Sequence, residues 1–113
     1  MQTILLKKFG TVLVSRPAGL ESFNAIRSSL RPNEDIQIDF GNVLTVTPSW
    51  LDEFLSQLAD YMQADITLLP TQNASVLATL PVLGSTRADR LAGIIKRALK
   101  QMEESKERGG EGK

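Results

Sequence analysis

The chain has 113 residues, no formal net charge and 42% hydrophobic residues, which is enough apolar material for one core and too little length for two. It contains neither cysteine nor histidine, which excludes disulfides, thiolate metal sites, cysteine nucleophiles, the usual zinc sites, the serine–histidine triad and the commonest general base. No run of about eighteen apolar residues occurs, and the lysines of MQTILLKKFG follow the apolar residues instead of preceding them, so the chain reads as cytoplasmic and free of membrane contact.

Residues 2–6 and 11–15 are apolar, β-branched runs on either side of Lys7-Lys8-Phe9-Gly10, a pattern that predicts two strands joined as an N-terminal hairpin. Arg16-Pro17-Ala18-Gly19 reads as a breaker. From Leu20 onward Phe23, Ile26 and Leu30 recur at helical spacing until Arg31-Pro32 forbids continuation, giving a first helix. Ile36, Ile38 and Phe40 then alternate with Asp35, Gln37 and Asp39, the period of a strand with one apolar face. Gly41-Asn42 breaks that strand, and Val43, Leu44 and Val46 lead into Thr47-Pro48. A capping hydroxyl followed by proline, whose missing N–H is harmless at the first helical position, fixes a helix start there. Leu51, Phe54, Leu55, Leu58 and Met62 form a single stripe on this second helix, with Asp52, Glu53, Ser56, Gln57 and Asp60 opposite.

A strand over 65–69 follows and stops at Pro70. Residues 71–83 read as a short helix interrupted by Pro81. Ser85-Thr86 with Asp89 resembles a capping box for a long last helix, striped by Leu91, Ile94, Ile95, Ala98, Leu99 and Met102. Residues 104–113 carry no apolar group and read as a disordered polar tail, leaving 1–103 as the single domain. The predicted fold is therefore α/β, a small mixed sheet of about four strands, including the N-terminal hairpin, with about four helices. Clean alternation in 36–40 places the helices mainly on one side of the sheet. The expected core comprises Val12, Val14, Phe23, Ile26, Ile36, Ile38, Phe40, Leu51, Phe54, Leu55, Leu58, Ile66, Leu68, Leu91, Ile95 and Leu99.

The stretch DFGNVLTVTPSWLDEFLSQL resembles the STAS superfamily, the sulfate-transporter and anti-sigma-factor-antagonist domains. It looks closer still to a STAS-like family of unknown function whose signature runs roughly D-F-x-x-V-x-x-[IV]-[ST]-x-S-[FW]-L-D-E. The resemblance implies a small mixed sheet with several helices. It also implies a phosphoacceptor serine at the helix start, in anti-sigma antagonists usually within D-S-S-G, and Ser49 takes that place. Thr47 stands where that motif has aspartate and Trp50 where it has glycine. The partner implied is an ATPase or kinase of the anti-sigma type.

Thr47, Trp50, Asp52 and Glu53 flank Ser49 and are the candidate partner contacts, with Trp50 expected to be partly buried at the edge of the core. By sequence neighbourhood a phosphate on Ser49 meets free helix N–H groups but also Asp52 and Glu53, which repel it. Ser49 as a plain helix-start residue, and the two acids as complements to the helix dipole, are the structural alternatives. Asp39, Asp52 and Glu53, with Thr47 or Ser49, are the only cluster that suggests a magnesium site; Asp52 and Glu53 are explained more simply as acids in a helix's first turn, and no metal or cofactor is predicted. Residues 32–65 hold seven acids and no lysine or arginine. They offer an acidic face to a basic partner, or they neighbour the basic ends within the same fold. Arg87, Arg90, Lys96, Arg97 and Lys100 line the polar side of the last helix without interleaved aromatics, so nucleic-acid binding is not expected.

Together these features predict a non-enzymatic regulatory module that docks another protein through the loop and helix at 41–61, switched by phosphorylation of Ser49. The other classes open at this point are a small-ligand or nucleotide-binding domain using 41–49, and a self-associating, homo-oligomeric structural component.

Overall fold

The structure is a computed structural model that describes residues 2–87 and 89–111, with side chains as far as Glu104. In chain order the elements are β1 (Gln2–Leu5), a 3-10 turn (Leu6–Phe9), β2 (Val12–Leu13), α1 (Arg16–Ile26) with a 3-10 extension (Arg27–Ser29), β3 (Ile36–Asp39), β4 (Thr45–Val46), α2 (Pro48–Met62), β5 (Ile66–Leu68), α3 (Ala74–Thr86) and α4 (Arg90–Glu111). The class is α/β with four α-helices, as expected.

The predicted hairpin does not form, and the strands are parallel throughout. One sheet has the order β1-β3-β5 and a second pairs β2 with β4. The reason lies between β1 and β2. Leu6 is buried, and the 3-10 turn around it carries the chain forward instead of back, ending at Gly10 with φ 122°, where a side chain would be strained. The segment from β1 to β2 therefore runs beside the segment from β3 to β4, with Gln2 opposite Ile36 and Val12 opposite Thr45. The detour also changes which residues of β2 face inward. Leu13 is buried, whereas Val12 and Val14, expected in the core, are 57% and 43% exposed.

Gln2, Ile4, Ile36, Ile38, Ile66 and Leu68 form the inner face of the three-stranded sheet, all buried. The outer face is open: Thr3 and Leu5 are exposed and Gln37, Asp39 and Thr67 half-buried. Both sheet margins are fastened by side chains. Ser75 Oγ accepts from the N–H of Val46 and donates to its carbonyl, both at 2.9 Å, and Thr79 Oγ1 donates to the same carbonyl at 3.1 Å, so α3 closes β4 much as another strand would. Arg97 donates to the Ile66 carbonyl at 2.8 Å on the margin of β5.

Helix α2 is the centre of the core. Thr47 caps it and Pro48 opens it, as predicted. It buries Trp50, Leu51, Phe54, Leu55, Leu58, Ala59 and Met62, a face wider than a single stripe. The extra width exists because α1 packs along it from outside, the most extensive element pairing in the fold. Residues 16–19, read as a breaker, instead form the first turn of α1, with the Ser15 hydroxyl accepting from the N–H of Ala18 and Pro17 placed where no donor is needed.

Helix α3 continues through Pro81 and is capped by Asn73, whose Oδ1 accepts from the N–H of Val76 at 3.1 Å. The predicted capping box is displaced. Ser85 and Thr86 end α3, donating back to the carbonyls of Val82 and Leu83, and α4 begins after Asp89. Helix α4 runs to Glu111, into the segment expected as a disordered tail, whose last two residues lie outside the described residues.

Gly19 sets the distance between α1 and α2. A Cβ placed there would lie 2.5 Å from the Trp50 carbonyl oxygen and 3.3 Å from the Glu53 Cβ, so the two backbones approach more closely than any side chain permits. Alanine has the better helix propensity by about 1 kcal/mol, and overpacking costs about 1–3 kcal/mol, so Gly19→Ala is expected to lower stability despite the propensity gain. A denaturant midpoint equal to or above that of wild type would show that α1 can withdraw without loss.

Candidate functional site

The connection from β3 to α2 carries the predicted site. Asp39 Oδ1 accepts from the N–H of Gly41 at 2.7 Å, and the N–H of Val43 closes a turn on the Phe40 carbonyl at 3.2 Å with Asn42 at φ 65°. Asparagine tolerates that left-handed conformation better than most residues. Leu44 stands out from this loop at 68% exposure, between buried Val43 and Val46. Thr47 Oγ1 accepts from the N–H of Trp50 at 3.4 Å, a long cap, so Thr47 is occupied in starting the helix.

Ser49 is half-buried and lines an open cavity of about 400 Å³ together with Arg16, Pro48, Asp52, Val82, Leu83, Thr86 and Arg87. Asp52 is the hub of its wall. Arg16 Nη1 donates to one carboxylate oxygen of Asp52 at 2.8 Å and reaches Glu53 at 3.4 Å, while Arg87 Nη1 donates to the other oxygen. Arg87 also makes a paired contact with Asp89, at 3.1 and 2.7 Å. One carboxylate thus joins the start of α1, the second turn of α2 and the connection from α3 to α4; Asp52 and Glu53 lie past the first turn of α2, in which they were expected.

Hydrogen bonding to Asp89, and after it to Asp52, holds the Arg87 guanidinium above its ordinary value, against the opposing effect of burial. Arg16 is shifted the same way, mainly by its bond to Asp52. The Asp89 carboxyl is held below the usual carboxylate range, chiefly by Arg87 and less by the N–H of Ala92.

The structure therefore revises the predicted site in three ways. Trp50, expected to be partly buried and available to a partner, is 1% exposed; its ring stacks on Phe54 at 4.9 Å and meets Phe9 at 6.1 Å, so it is a core residue. The Trp50/Phe54 spacing of four, which puts both rings on one helix ridge, was the available signal. Asp52 and Glu53 are not a free acidic face, because Arg16 engages both and Arg87 engages Asp52. Asp39 is turned to Gly41, apart from that pair, and no group of three or more acids placed to hold a metal occurs among the described residues.

Arg16 and Arg87 are the residues that sequence reasoning missed. They lie far from Ser49 in the chain, one read as part of a breaker and the other as part of a helix face. Two more cations of that supposed face, though exposed, bond to backbone of the fold: Arg90 donates to the carbonyls of Ala59 and Ala64 around the end of α2, and Arg97 to that of Ile66. A second concavity, about 700 Å³ and lined by Pro70, Leu77, Leu99 and Met102 among others, lies apart from every predicted site residue.

Two measurements check the cluster. Asp52→Ala is expected to lower stability by on the order of 1 kcal/mol, the scale of a charge-assisted hydrogen bond discounted for partial exposure; an unchanged denaturant midpoint would show the three elements to be held by packing alone. Because the folded Asp89 carboxyl is depressed below its unfolded value of about 3.9, its contribution is present at neutral pH and lost as pH falls through the folded value. Wild type should therefore melt above Asp89→Asn at pH 7, with the gap closing below about pH 4. A gap independent of pH would contradict this assignment.

No protein-family model, curated protein or solved structure matches this chain, so the arginine–aspartate cluster around half-buried Ser49 carries the functional argument by itself.

Proposed function

We propose that the chain is a non-enzymatic regulatory module of STAS-like type that docks a partner protein, of the ATPase or kinase class, and is switched by phosphorylation of Ser49. The supporting observation is the position of the Ser49 hydroxyl in an open cavity whose wall carries two arginines. The electrostatics there differ from those of the sequence neighbourhood. Asp52 and Glu53 are already neutralised by Arg16 and Arg87. A phosphate on Ser49 competes with Asp52 for those guanidinium groups, and charge-assisted phosphate–arginine bonds are strong enough to make that competition real.

The docking surface is narrower than the 41–61 stretch. Helix α2 is covered along most of its circumference, and beyond its first residue only Asp60 is exposed. The partner therefore meets the loop from Gly41 to Thr47, with Leu44 as its apolar anchor, and the mouth of the cavity. Leu44 is the most exposed of the large apolar side chains among the described residues, at 68%.

Affinity capture with the wild-type chain, Ser49→Ala, Ser49→Asp and Leu44→Asp as baits, followed by calorimetry with any ATPase or kinase enriched, tests the proposal. Ser49→Ala should bind like wild type. Ser49→Asp and Leu44→Asp should each weaken binding more than tenfold, about 1.4 kcal/mol, while surface substitutions of this kind leave stability within about 0.5 kcal/mol. Equal capture by all four baits would refute both the switch and the anchor.

A further inference from the structure

We infer that the free edge of β2 takes an extended, apolar segment of the partner as an additional strand, so that docking at the Leu44 loop proceeds by strand addition. This rests on the docking reading of that loop and adds the mode of binding to it. The starting point is an asymmetry in the two-stranded sheet. The far margin of β4 is closed by α3, through Ser75 and Thr79. No strand closes the other margin, because β2 pairs with β4 alone.

Backbone direction shows what that margin offers. The carbonyls of Thr11 and Leu13 point to β4, accepting from the N–H of Thr45 at 3.1 Å and of Thr47 at 2.9 Å. Successive residues of a strand turn their N–H and C=O groups to opposite sides, so Val12 and Val14 turn theirs away from β4. No hydrogen bond meets either residue on that side among the described residues. Such a row of unpaired groups is a template for one more strand.

The side chains of this margin suit an apolar occupant. Val12 and Val14 are 57% and 43% exposed, while Leu13 between them is buried. Thr11 also accepts from the N–H of Leu44 at 2.8 Å, so the margin adjoins the exposed leucine of the docking loop, and the occupant of one is the occupant of the other. Natural edge strands are commonly blunted by charge, lysine above all. The stretch after β1 has Lys7 and Lys8, both exposed, whereas residues 11–15 carry no charge. The edge is short, bracketed by Gly10 at φ 122° and Ser15 at φ 77°. The partner therefore adds about four residues, or about 13 Å of strand, with an apolar side chain at every second position to lie over Val12 and Val14.

A phage-displayed library of random octapeptides, selected on the full chain, tests this, with the enriched peptides then titrated in synthetic form. Enriched peptides should alternate apolar and polar residues and should slow hydrogen exchange at the amides of Val12 and Val14. N-methylation at every second peptide residue should weaken binding by about tenfold or more, the scale of one or two lost hydrogen bonds, while methylation of the intervening residues should not. Val12→Pro, which removes an outward N–H and leaves the bonds to β4, should weaken binding similarly. The methylated peptides are read on the wild-type chain, so the test holds even where Val12→Pro does not fold. Failure to enrich any peptide, indifference to N-methylation at every position, or protection confined to residues outside 11–14 would each overturn the inference. Sedimentation showing that wild type self-associates and Val12→Pro does not would overturn it too, by making a second copy the occupant. The assay uses neither Ser49 nor a recovered ATPase or kinase, so its failure and failure of the switch are separate results.

Discussion

The close approach of α1 to α2 is the constraint on which the rest of the structure depends. A small parallel sheet covered on one face provides a single layer boundary, and a helix lying on it would normally expose its far side. Here the far side of α2 is covered as well. Gly19 lets the backbone of α1 come against the Trp50 carbonyl, and that contact allows α2 to bury aromatic residues on a second face, Trp50 stacking on Phe54 with Phe9 against both. A chain of this length gains core volume by covering one helix along most of its circumference, which offsets the unfavourable surface-to-volume ratio of a small domain. The arginine cluster follows from the same geometry, since bringing the start of α1 over the start of α2 is what delivers Arg16 to Asp52.

Local signals in the sequence were legible wherever the chain's own neighbours decide the outcome. Thr47-Pro48 specifies a helix start irrespective of what packs on it, and the alternation of Ile36 and Ile38 specifies a strand with one inward face. Signals failed where the outcome depends on residues far away. Apolar runs at 2–6 and 11–15 fit a hairpin as well as two successive parallel strands, and only the burial of Leu6 in a 3-10 turn decides between them. That choice also reverses the inward side of β2, because the period of a strand is two and a displacement of one residue exchanges its faces. Pro17 and Gly19 look like punctuation, yet proline is tolerated in a helix's first turn and the glycine is needed for a contact that no local pattern announces. Pro81 misled in the same way, since α3 is held by Asn73 at its start and by Ser75 and Thr79 against β4, enough to carry it past one missing donor.

The candidate site was half legible. Ser49 and the two acids that follow it could be placed at a helix start by spacing alone. The cations that set their electrostatics could not, because they arrive from residues 16 and 87, more than thirty positions away on either side. The absence of lysine and arginine from 32–65 was the indirect indication: acids half-buried near a core need compensation, and it can come only from outside that stretch. What the uneven charge distribution did not reveal is that one aspartate serves two arginines. A phosphoryl group on Ser49, as proposed, would therefore enter an existing set of ion pairs instead of an unscreened acidic field.

The position of the proposed site follows from strand direction. In a parallel sheet every strand delivers its following connection to the same end, and the start of α2 together with the connection after β3 therefore gathers at the carboxyl ends of the strands, the region where open α/β sheets generally place their binding crevices. Helix starts collect there, with their unsatisfied N–H groups and positive dipole ends, so that end is suited to a site whose state depends on adding an anion. The outer face of the sheet has the opposite character. Its outward residues are Thr3, Leu5, Gln37, Asp39 and Thr67, with a single charge among them. The element between the two is β3, whose outward side chains form the centre of that face and whose end leads into the loop that carries Leu44.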